Sequence, residues 1–530
     1  MKKLLLSQNR SFCHHFGLLL EQCMKLRALK PCQQIHALML TTPVDMNSFS
    51  LSSKLIGAYA SCGDLGSLRL LFQESPNPNV FAFNWMILTL TFSGFHEEAI
   101  GYFSSLTKSR NPNISHNEHT LSAVLKCCVG LLDLNLGKQV HGMICKTGYG
   151  MYVLVCNALM DMYRKCGKMC CARKVFDEMS ERDVVSWTNI ICGYSDEGKI
   201  GEAVDLFKRM RLEEIKANEF TWNSIIVAHA RNGDCDGAFK FCARMREEGY
   251  VPDLPTWNGM ISGFVQSHKA SEAMKLFYSM LVAGVKPNPV TVTGLLPACG
   301  MIGSVSMGKE IHGIIYRTEI YVNAFVASAL IDMYSKCGSV KDASNVFNMT
   351  YTKNAASWNA MIGCYGKHGM VNSAIELFEK MQGEGIQANE VTLNAVLCAC
   401  SHGGQVEKGV DLFAAMVSYN VVANHEHYAC VIDLFCRFGR MEEAYSIVKQ
   451  MPVDGTNSVI GAFLNGCKIH GRSDLAEKIS DHLGMEMRKP GDFVTLSNIY
   501  ASEGKWEGVQ DVREVMKDKR VLKKLGFSSV

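Results

Sequence analysis

The sequence is short of several things, and each shortage closes a class of answer. Its 530 residues hold 12 prolines, too few for a Pro-rich or collagen-like chain. Neither sign of charge dominates: 54 Lys and Arg face 51 Asp and Glu, for a net of +3. A global field that would hold a polyanion by charge alone is missing, so such a partner must be met by a local arrangement. No apolar run approaches the roughly 18 residues of a membrane span; Val80 to Phe92 comes nearest and is interrupted by Asn84, Thr89 and Thr91. A membrane partner is not expected. No Cys-x-x-Cys occurs among the 22 cysteines. The paired thiolates of a structural or deaminating zinc site are therefore not expected, although His116-Asn-Glu118 supplies half of a deaminase motif.

What is present points to order. With 48% hydrophobic and 20% charged residues, the chain is too apolar to be disordered and too long for one ordinary core, so several domains or a repeat array are expected. The cysteines are scattered through apolar helical patterns, which suits reduced, packed thiols better than a disulfide framework. At the start, Lys2, Lys3 and Arg10 precede any acidic residue, the first being Glu21, and the apolar stretch Leu4 to Leu6 is too short for a secretory signal. Residues 1–12 are expected to be a short organelle-targeting segment.

Spacing is the decisive observation. Trp187, Trp222 and Trp257 lie 35 residues apart, and Trp358 follows 101 residues later, the length of two 35-residue units and one of 31. On this register Glu202-Ala-Val-Asp-Leu-Phe-Lys-Arg-Met210 aligns with Glu272-Ala-Met-Lys-Leu-Phe-Tyr-Ser-Met280 and with Ser373-Ala-Ile-Glu-Leu-Phe-Glu-Lys-Met381. Asn157-Ala-Leu-Met-Asp-Met-Tyr-Arg-Lys-Cys-Gly167 aligns with Ser328-Ala-Leu-Ile-Asp-Met-Tyr-Ser-Lys-Cys-Gly338. The chain is a repeat array. Within one unit, Trp187, Ile190, Ile191 and Tyr194 have helical spacing, as do Ala203, Leu206, Phe207 and Met210, with Gly198 between them. Each unit is predicted to be two amphipathic helices, which cannot cover their own apolar faces and must stack.

A 34-residue period would indicate tetratricopeptide repeats; units of 35 and 31 instead resemble pentatricopeptide repeats. The resemblance is carried by Val184-Val-Ser-Trp187, the run from Asn157, Gly137-Lys-Gln-Val-His141, Gly308-Lys-Glu-Ile-His312 and the recurring Lys-Cys-Gly. Mixed unit lengths resemble the plant PLS subclass of P, L and S repeats. His427-Tyr-Ala-Cys-Val-Ile-Asp-Leu434, Gly466-Cys-Lys-Ile-His-Gly471, Leu496-Ser-Asn-Ile-Tyr-Ala501 and Leu522-Lys-Lys-Leu-Gly526 resemble the E-type extension of that subclass. The fold implied is all-α, a right-handed α-solenoid, with the array at 13–456 and the extension at 457–530. Family members with a DYW-type cytidine deaminase domain continue beyond such a point, so recognition rather than catalysis is expected, with no cofactor and no metal.

The resemblance further implies that each unit reads one base of single-stranded RNA through its fifth and last residues. Carried over position by position, the pairs are Ser53 with Asn79, Asn84 with Asn117, Asn157 with Asp183, Thr188 with Asn218, Asn223 with Asp253, Asn258 with Asn288, Ser328 with Asn354, and Asn359 with Asn389. Amides and hydroxyls offer both donors and acceptors to a base edge, and splayed single strands expose those edges. Second-place residues Phe81, Leu154, Val185, Phe220 and Phe325 resemble the apolar layer that flanks bases, from which Pro255 and Ala356 depart. By the family's rule the site reads A-C-x-U-A-U-C-x-A-C. The x positions face Ser122/Tyr152 and Thr293/Asn323 of L-type units, which read poorly. The Asn84 unit carries an insertion around Arg110 to Ser115, and the units with Asn394 and Ala429 are left unread. A second reading of the last residues stays open: Asn or Asp there could cap the next helix. The recurrence of Asn inside first turns is harder to explain that way, since Asn is a poor helix former.

Other motifs carry less. Gly303 to Lys309 has phosphate-loop spacing, but Glu310 stands where a Ser or Thr is required. His141 and His312 share one repeat position and suit helix packing. Cys62, Cys166 and Cys337 sit beside turn glycines, as small packed residues would. The basic run Lys517, Lys519, Arg520, Lys523 and Lys524 could meet phosphate, a protein or water alone. The function expected is site recognition for cytidine-to-uridine RNA editing in a mitochondrion, or alternatively a chloroplast, with a deaminase-bearing repeat protein or other editing factor recruited through 457–530. The alternatives are group II intron splicing or transcript stability, and a protein-binding scaffold.

Overall fold

The computed structural model describes residues 2–42, 51–75, 78–108, 116–451, 457–483 and 490–518. Thirty α-helices, from Lys2–Leu26 to Trp506–Asp518, and no strand occur among the described residues. They run as hairpins, each a leading and a trailing helix, and the chain divides into two compact units, Met1–Pro252 and Asp253–Val530. Within each unit successive leading helices pack on one another, and each trailing helix lies between its own leading helix and the next. Each unit is an α-solenoid in which the core is a continuous seam. The first helix begins at Lys2, so the targeting segment expected at 1–12 and the array expected from residue 13 share one helix. The insertion around Arg110 to Ser115, the segment Leu522 to Gly526, and Lys519, Arg520, Lys523 and Lys524 lie outside the described residues.

The repeat unit forms for the reasons its pattern suggests. Val184–Asp196 buries Trp187, Ile190 and Ile191, and Ile200–Leu212 buries Ala203, Leu206, Phe207 and Met210; fully burying each large apolar side chain contributes about 1.5–3 kcal/mol. Gly198 turns the chain between them at φ 72°, a left-handed conformation that costs an L-residue with a Cβ energy. Leu132 and His268 occupy the same turn elsewhere at φ 53° and 60° without that freedom. Three of the tryptophans pack edge-to-face with a phenylalanine of the preceding trailing helix. Phe176–Trp187, Phe207–Trp222 and Phe347–Trp358 have centroids 4.9, 4.8 and 5.0 Å apart, the favoured T-shaped arrangement.

Two motifs of the sequence interlock. A Cβ on Gly137 would come within 2.5 Å of Met162 Sδ, and one on Gly308 within 2.4 Å of Met333 Sδ. One turn further, His141 Nδ1 lies 2.8 Å from Tyr163 Oη and His312 Nδ1 3.0 Å from Tyr334 Oη. The Gly-Lys-x-x-His helix therefore docks on the Asp-Met-Tyr helix by one gap filled and one hydrogen bond made. A third copy joins His36 Nδ1 to Tyr59 Oη at 3.0 Å, with Cys32 in place of the glycine and Ala58 in place of the methionine, both fully buried in one cluster. Volume lost on one helix is returned on the other, as close packing requires.

Candidate nucleic-acid interface

The interface is built from the start of each leading helix. Asn79, Asn117, Asp183, Asn218, Asp253, Asn288, Asn354 and Asn389 are all N-caps, their Oδ1 accepting from the backbone N–H three residues on. Capping is thus realised at all eight last residues. It does not use up the side chain.

The same Oδ1 atoms meet the fifth residues of the preceding unit. Asn84 Nδ2 donates to Asn117 Oδ1 at 3.0 Å, Asn157 Nδ2 to Asp183 Oδ1 at 3.1 Å, Asn258 Nδ2 to Asn288 Oδ1 at 3.3 Å and Asn359 Nδ2 to Asn389 Oδ1 at 3.2 Å. Ser53 Oγ donates to Asn79 Oδ1 at 2.7 Å, and Thr188 Oγ1, which donates chiefly to the Val184 carbonyl at 2.6 Å, lies 3.4 Å from Asn218 Oδ1. Six of the pairs expected from the sequence are in direct contact. Ser328 Oγ donates instead to the Ala324 carbonyl at 2.6 Å and reaches Asn354 only through the Ser357 hydroxyl. Asn223 and Asp253 belong to different compact units; Asn223 is half-buried and Asp253 caps its helix.

A third side chain completes the four contacts made by asparagines, and the sequence reading missed it. There the residue two places before the next fifth position is a buried Ser or Thr whose hydroxyl donates to the preceding asparagine; beside Thr188 that place is Thr221, 2.7 Å from Thr188 Oγ1, and beside Ser53 it is Ala82, which has no hydroxyl. Thr120 Oγ1 lies 2.6 Å from Asn84 Oδ1, and Ser186 Oγ, Thr291 Oγ1 and Thr392 Oγ1 each lie 2.7 Å from Oδ1 of Asn157, Asn258 and Asn359. The signal was present as a Ser or Thr in the third place of unit after unit, but its role appears only when neighbouring units are stacked.

These triads fix the polar atoms that remain. With Oδ1 committed to the cap and to its partner, an Asn at the last place turns Nδ2, a donor, to the surface, and Asp183 turns out Oδ2, an acceptor. Partial burial pushes the Asp183 carboxyl up, but the Ser186 N–H, the Asn157 amide and the Ser186 hydroxyl outweigh it and hold the group below its ordinary value. It is a carboxylate at neutral pH. Beside each triad the second-place side chain projects outward: Phe81, Phe220 and Phe325 are 59%, 73% and 70% exposed, and Leu154 and Val185 are exposed too. In the second compact unit, Ser328, Asn359, Asn389, Val391 and Cys398 line one open cavity of roughly 650 Å³.

The L-type units depart from this pattern. Thr293 Oγ1 donates to the Pro289 carbonyl at 2.9 Å, and Asn323 caps through Phe325 and Val326, so this pair is not brought together. Among the described residues no group of three or more His, Cys, Asp or Glu side chains is placed to hold a metal ion. No described helix is long and apolar enough to cross a membrane. The Gly303–Lys309 segment is a turn at Gly303 and Ser304 followed by the first residues of the helix Val305–Arg317, and Lys309 pairs with Asp342 at 3.1 Å.

A stack of capped two-helix units with a recurring polar triad defines a helical-repeat protein. Residues 353–402 match the PPR repeat family, 172–330 the pentacotripeptide-repeat region of PRORP, and 154–184, 325–349, 391–421 and 426–456 the PPR repeat. Residues 470–530 match the E motif, and the run His427 to Leu434 falls within a PPR repeat match. A pentatricopeptide repeat-containing protein of Arabidopsis thaliana is 42% identical over 498 residues, covering 94% of this chain and 92% of its own length. A second from the same plant is 34% identical over 504 residues, covering 95% and 73%. A crystal structure of the pentatricopeptide repeat protein PPR10 in complex with an 18-nt psaJ RNA element is 16% identical, covers 96% of this chain and 85% of that one, and has a TM-score of 0.46. The chain belongs to the pentatricopeptide repeat family, as a PLS-type member with an E motif.

Proposed function

We propose that this chain binds single-stranded RNA in a sequence-specific manner and marks sites for cytidine-to-uridine editing in a plant organelle, with a deaminase recruited in trans through residues 457–530. The observation that carries the reading is the uncommitted atom of each last residue beside an exposed apolar neighbour. The carboxylate oxygen of Asp183 accepts from the imino N–H of uracil, whereas the amide N–H of an Asn donates to the ring nitrogen of cytosine or adenine. Second-place side chains such as Phe81, Phe220 and Phe325 give the bases faces to stack on, worth about 1–3 kcal/mol per base for aromatic rings. With a net charge of only +3, base contacts rather than a global field supply selectivity.

The preferred RNA is A-C-N-U-A-U-C-N-A-C, read from the Ser53/Asn79 pair to the Asn359/Asn389 pair. Relatives with mitochondrial and with chloroplastic names support an organelle address; the mitochondrion is the first reading and the chloroplast the second. The test of function is deletion of 457–530 in the plant. Loss of editing with RNA binding retained supports recruitment, and editing that survives the deletion contradicts it. Unchanged editing with a splicing or transcript-stability defect in a null line moves the chain to those processes.

A further inference from the structure

Two cysteines from adjacent units face each other at the edge of the cavity described above. Cys398 lies on the leading helix Glu390–Gly403 and Cys430 on His425–Arg437, and their sulfurs are 2.7 Å apart. Both are half-buried, and Cys398 is part of the cavity wall, so a small reagent can reach it. A disulfide needs an S–S separation of about 2.05 Å, a closure of well under 1 Å between two helices that already pack together. Cys430 Sγ also donates to Asn394 Oδ1 at 3.1 Å. The charged groups facing the pair are Asp433, Glu426 and Lys367.

We propose that Cys398 and Cys430 are a reversible dithiol–disulfide site that staples these two leading helices together. The Cys430 thiol, whose single hydrogen is shared between Cys398 Sγ and Asn394 Oδ1, holds Cys398 below its ordinary value while Cys430 itself is pushed up, so Cys398 is the attacking thiolate. Its oxidant is a small-molecule disulfide such as oxidised glutathione. Cys398 Sγ attacks one glutathione sulfur, breaking the glutathione S–S bond and releasing one glutathione thiolate. Cys430 then gives its proton to water and attacks Cys398 Sγ in the mixed disulfide, releasing the second. Two protein thiols are oxidised to one disulfide, and one oxidised glutathione is reduced to two. Fully buried thiols such as Cys32, Cys128 and Cys436, pushed up to about 12 chiefly by burial, are inert by comparison. Oxidation also removes the hydrogen that Cys430 gives to Asn394.

The test is mass spectrometry of the full chain after equilibration in glutathione buffers from fully reduced to fully oxidised, followed by alkylation and digestion. The expected result is a cross-linked peptide joining Cys398 to Cys430, with fragment ions that exclude Cys400. It should accumulate with the steepness of a two-electron couple and vanish with dithiothreitol. In Cys430→Ser, Cys398 should instead be recovered as its glutathione mixed disulfide. If at the most oxidising ratio the two cysteines are recovered separately alkylated, separately glutathionylated, or linked to other cysteines, the proposal is wrong.

Discussion

Two neighbouring leading helices carry the same residue at the same place and use it differently. In Ala355–Lys367, Asn359 donates to the cap residue Asn389 at 3.2 Å and accepts from Thr392 at 2.7 Å. In Glu390–Gly403, Asn394 donates to Glu426 Oε2 at 3.2 Å and accepts from Cys430 at 3.1 Å. The cause lies one unit further on. Where Thr392 supplies a short hydroxyl, His427 supplies an imidazole, whose Nδ1 accepts from the Asn424 N–H at 3.2 Å and whose Nε2 lies 2.9 Å from the Glu390 carbonyl. With the third-place hydroxyl gone, Asn394 is not paired with the cap residue Asn424, and Asn424 Nδ2 lies 3.5 Å from Glu390. On the function proposed above, a fifth-place asparagine reads a base only in the company of its two partners, and the proposed reading therefore stops at Asn359 and Asn389.

The sharpest way to break this comparison is to make Asn359 resemble Asn394. Thr392→Val keeps the shape but removes a buried hydroxyl that serves both Asn359 and Asn389. We expect a loss of about 1–3 kcal/mol in urea unfolding, and loss of preference for C at the last position of the RNA in competition binding. An unchanged preference would mean that the triad does not set the reader.

The caps separate stability from recognition. Asn389→Ala and Asn424→Ala each remove a side chain that caps a helix, and each should cost about 1 kcal/mol by thermal unfolding. Only Asn389→Ala should also weaken RNA discrimination. Equal effects on RNA from the two variants would erase the distinction between the units.

A smaller effect concerns the fold alone. Burial depresses the imidazoles of His36, His141 and His312 below their ordinary value. The unfolded chain therefore takes up protons near the ordinary histidine pKa of about 6.5 that the folded chain refuses. Stability is full above that pH and falls as the pH drops through it. The melting temperature should decline on acidification below about 6.5, less steeply in His141→Gln and His312→Gln. The smallest change is Glu426→Gln, which keeps an acceptor for Asn394 and should leave both stability and RNA preference where they were.

Much of this was legible in the sequence for a definite reason. The tryptophan register, the turn at Gly198 and the eight Asn and Asp caps depend on residues within one unit, whose spacing is fixed by the helix. The recurrence of Asn84, Asn157, Asn258 and Asn359 in first turns was legible as unusual. What was not legible lies between units. Thr392 meets Asn359 across 33 residues, Cys430 meets Cys398 across 32, and Ala58 belongs to the same buried cluster as Cys32. None of these neighbours has a local pattern; each follows from how one hairpin lies on the next. The failure of Ser328 to touch Asn354 has a different, local origin: its hydroxyl is taken by the Ala324 carbonyl of its own helix, four residues back.

The most direct measurement is a specificity swap at Asp183, a last-place residue whose Oδ2 is an acceptor where a donor stands in the Asn units. Wild type and Asp183→Asn would be titrated at fixed salt, because phosphate contacts alone bind any sequence, with A-C-N-U-A-U-C-N-A-C and with the RNA carrying C at the fourth position. The account predicts that wild type prefers U, and that Asp183→Asn, which keeps the cap, reverses the preference to C. Equal binding of both RNAs by both proteins would contradict base reading by this ladder.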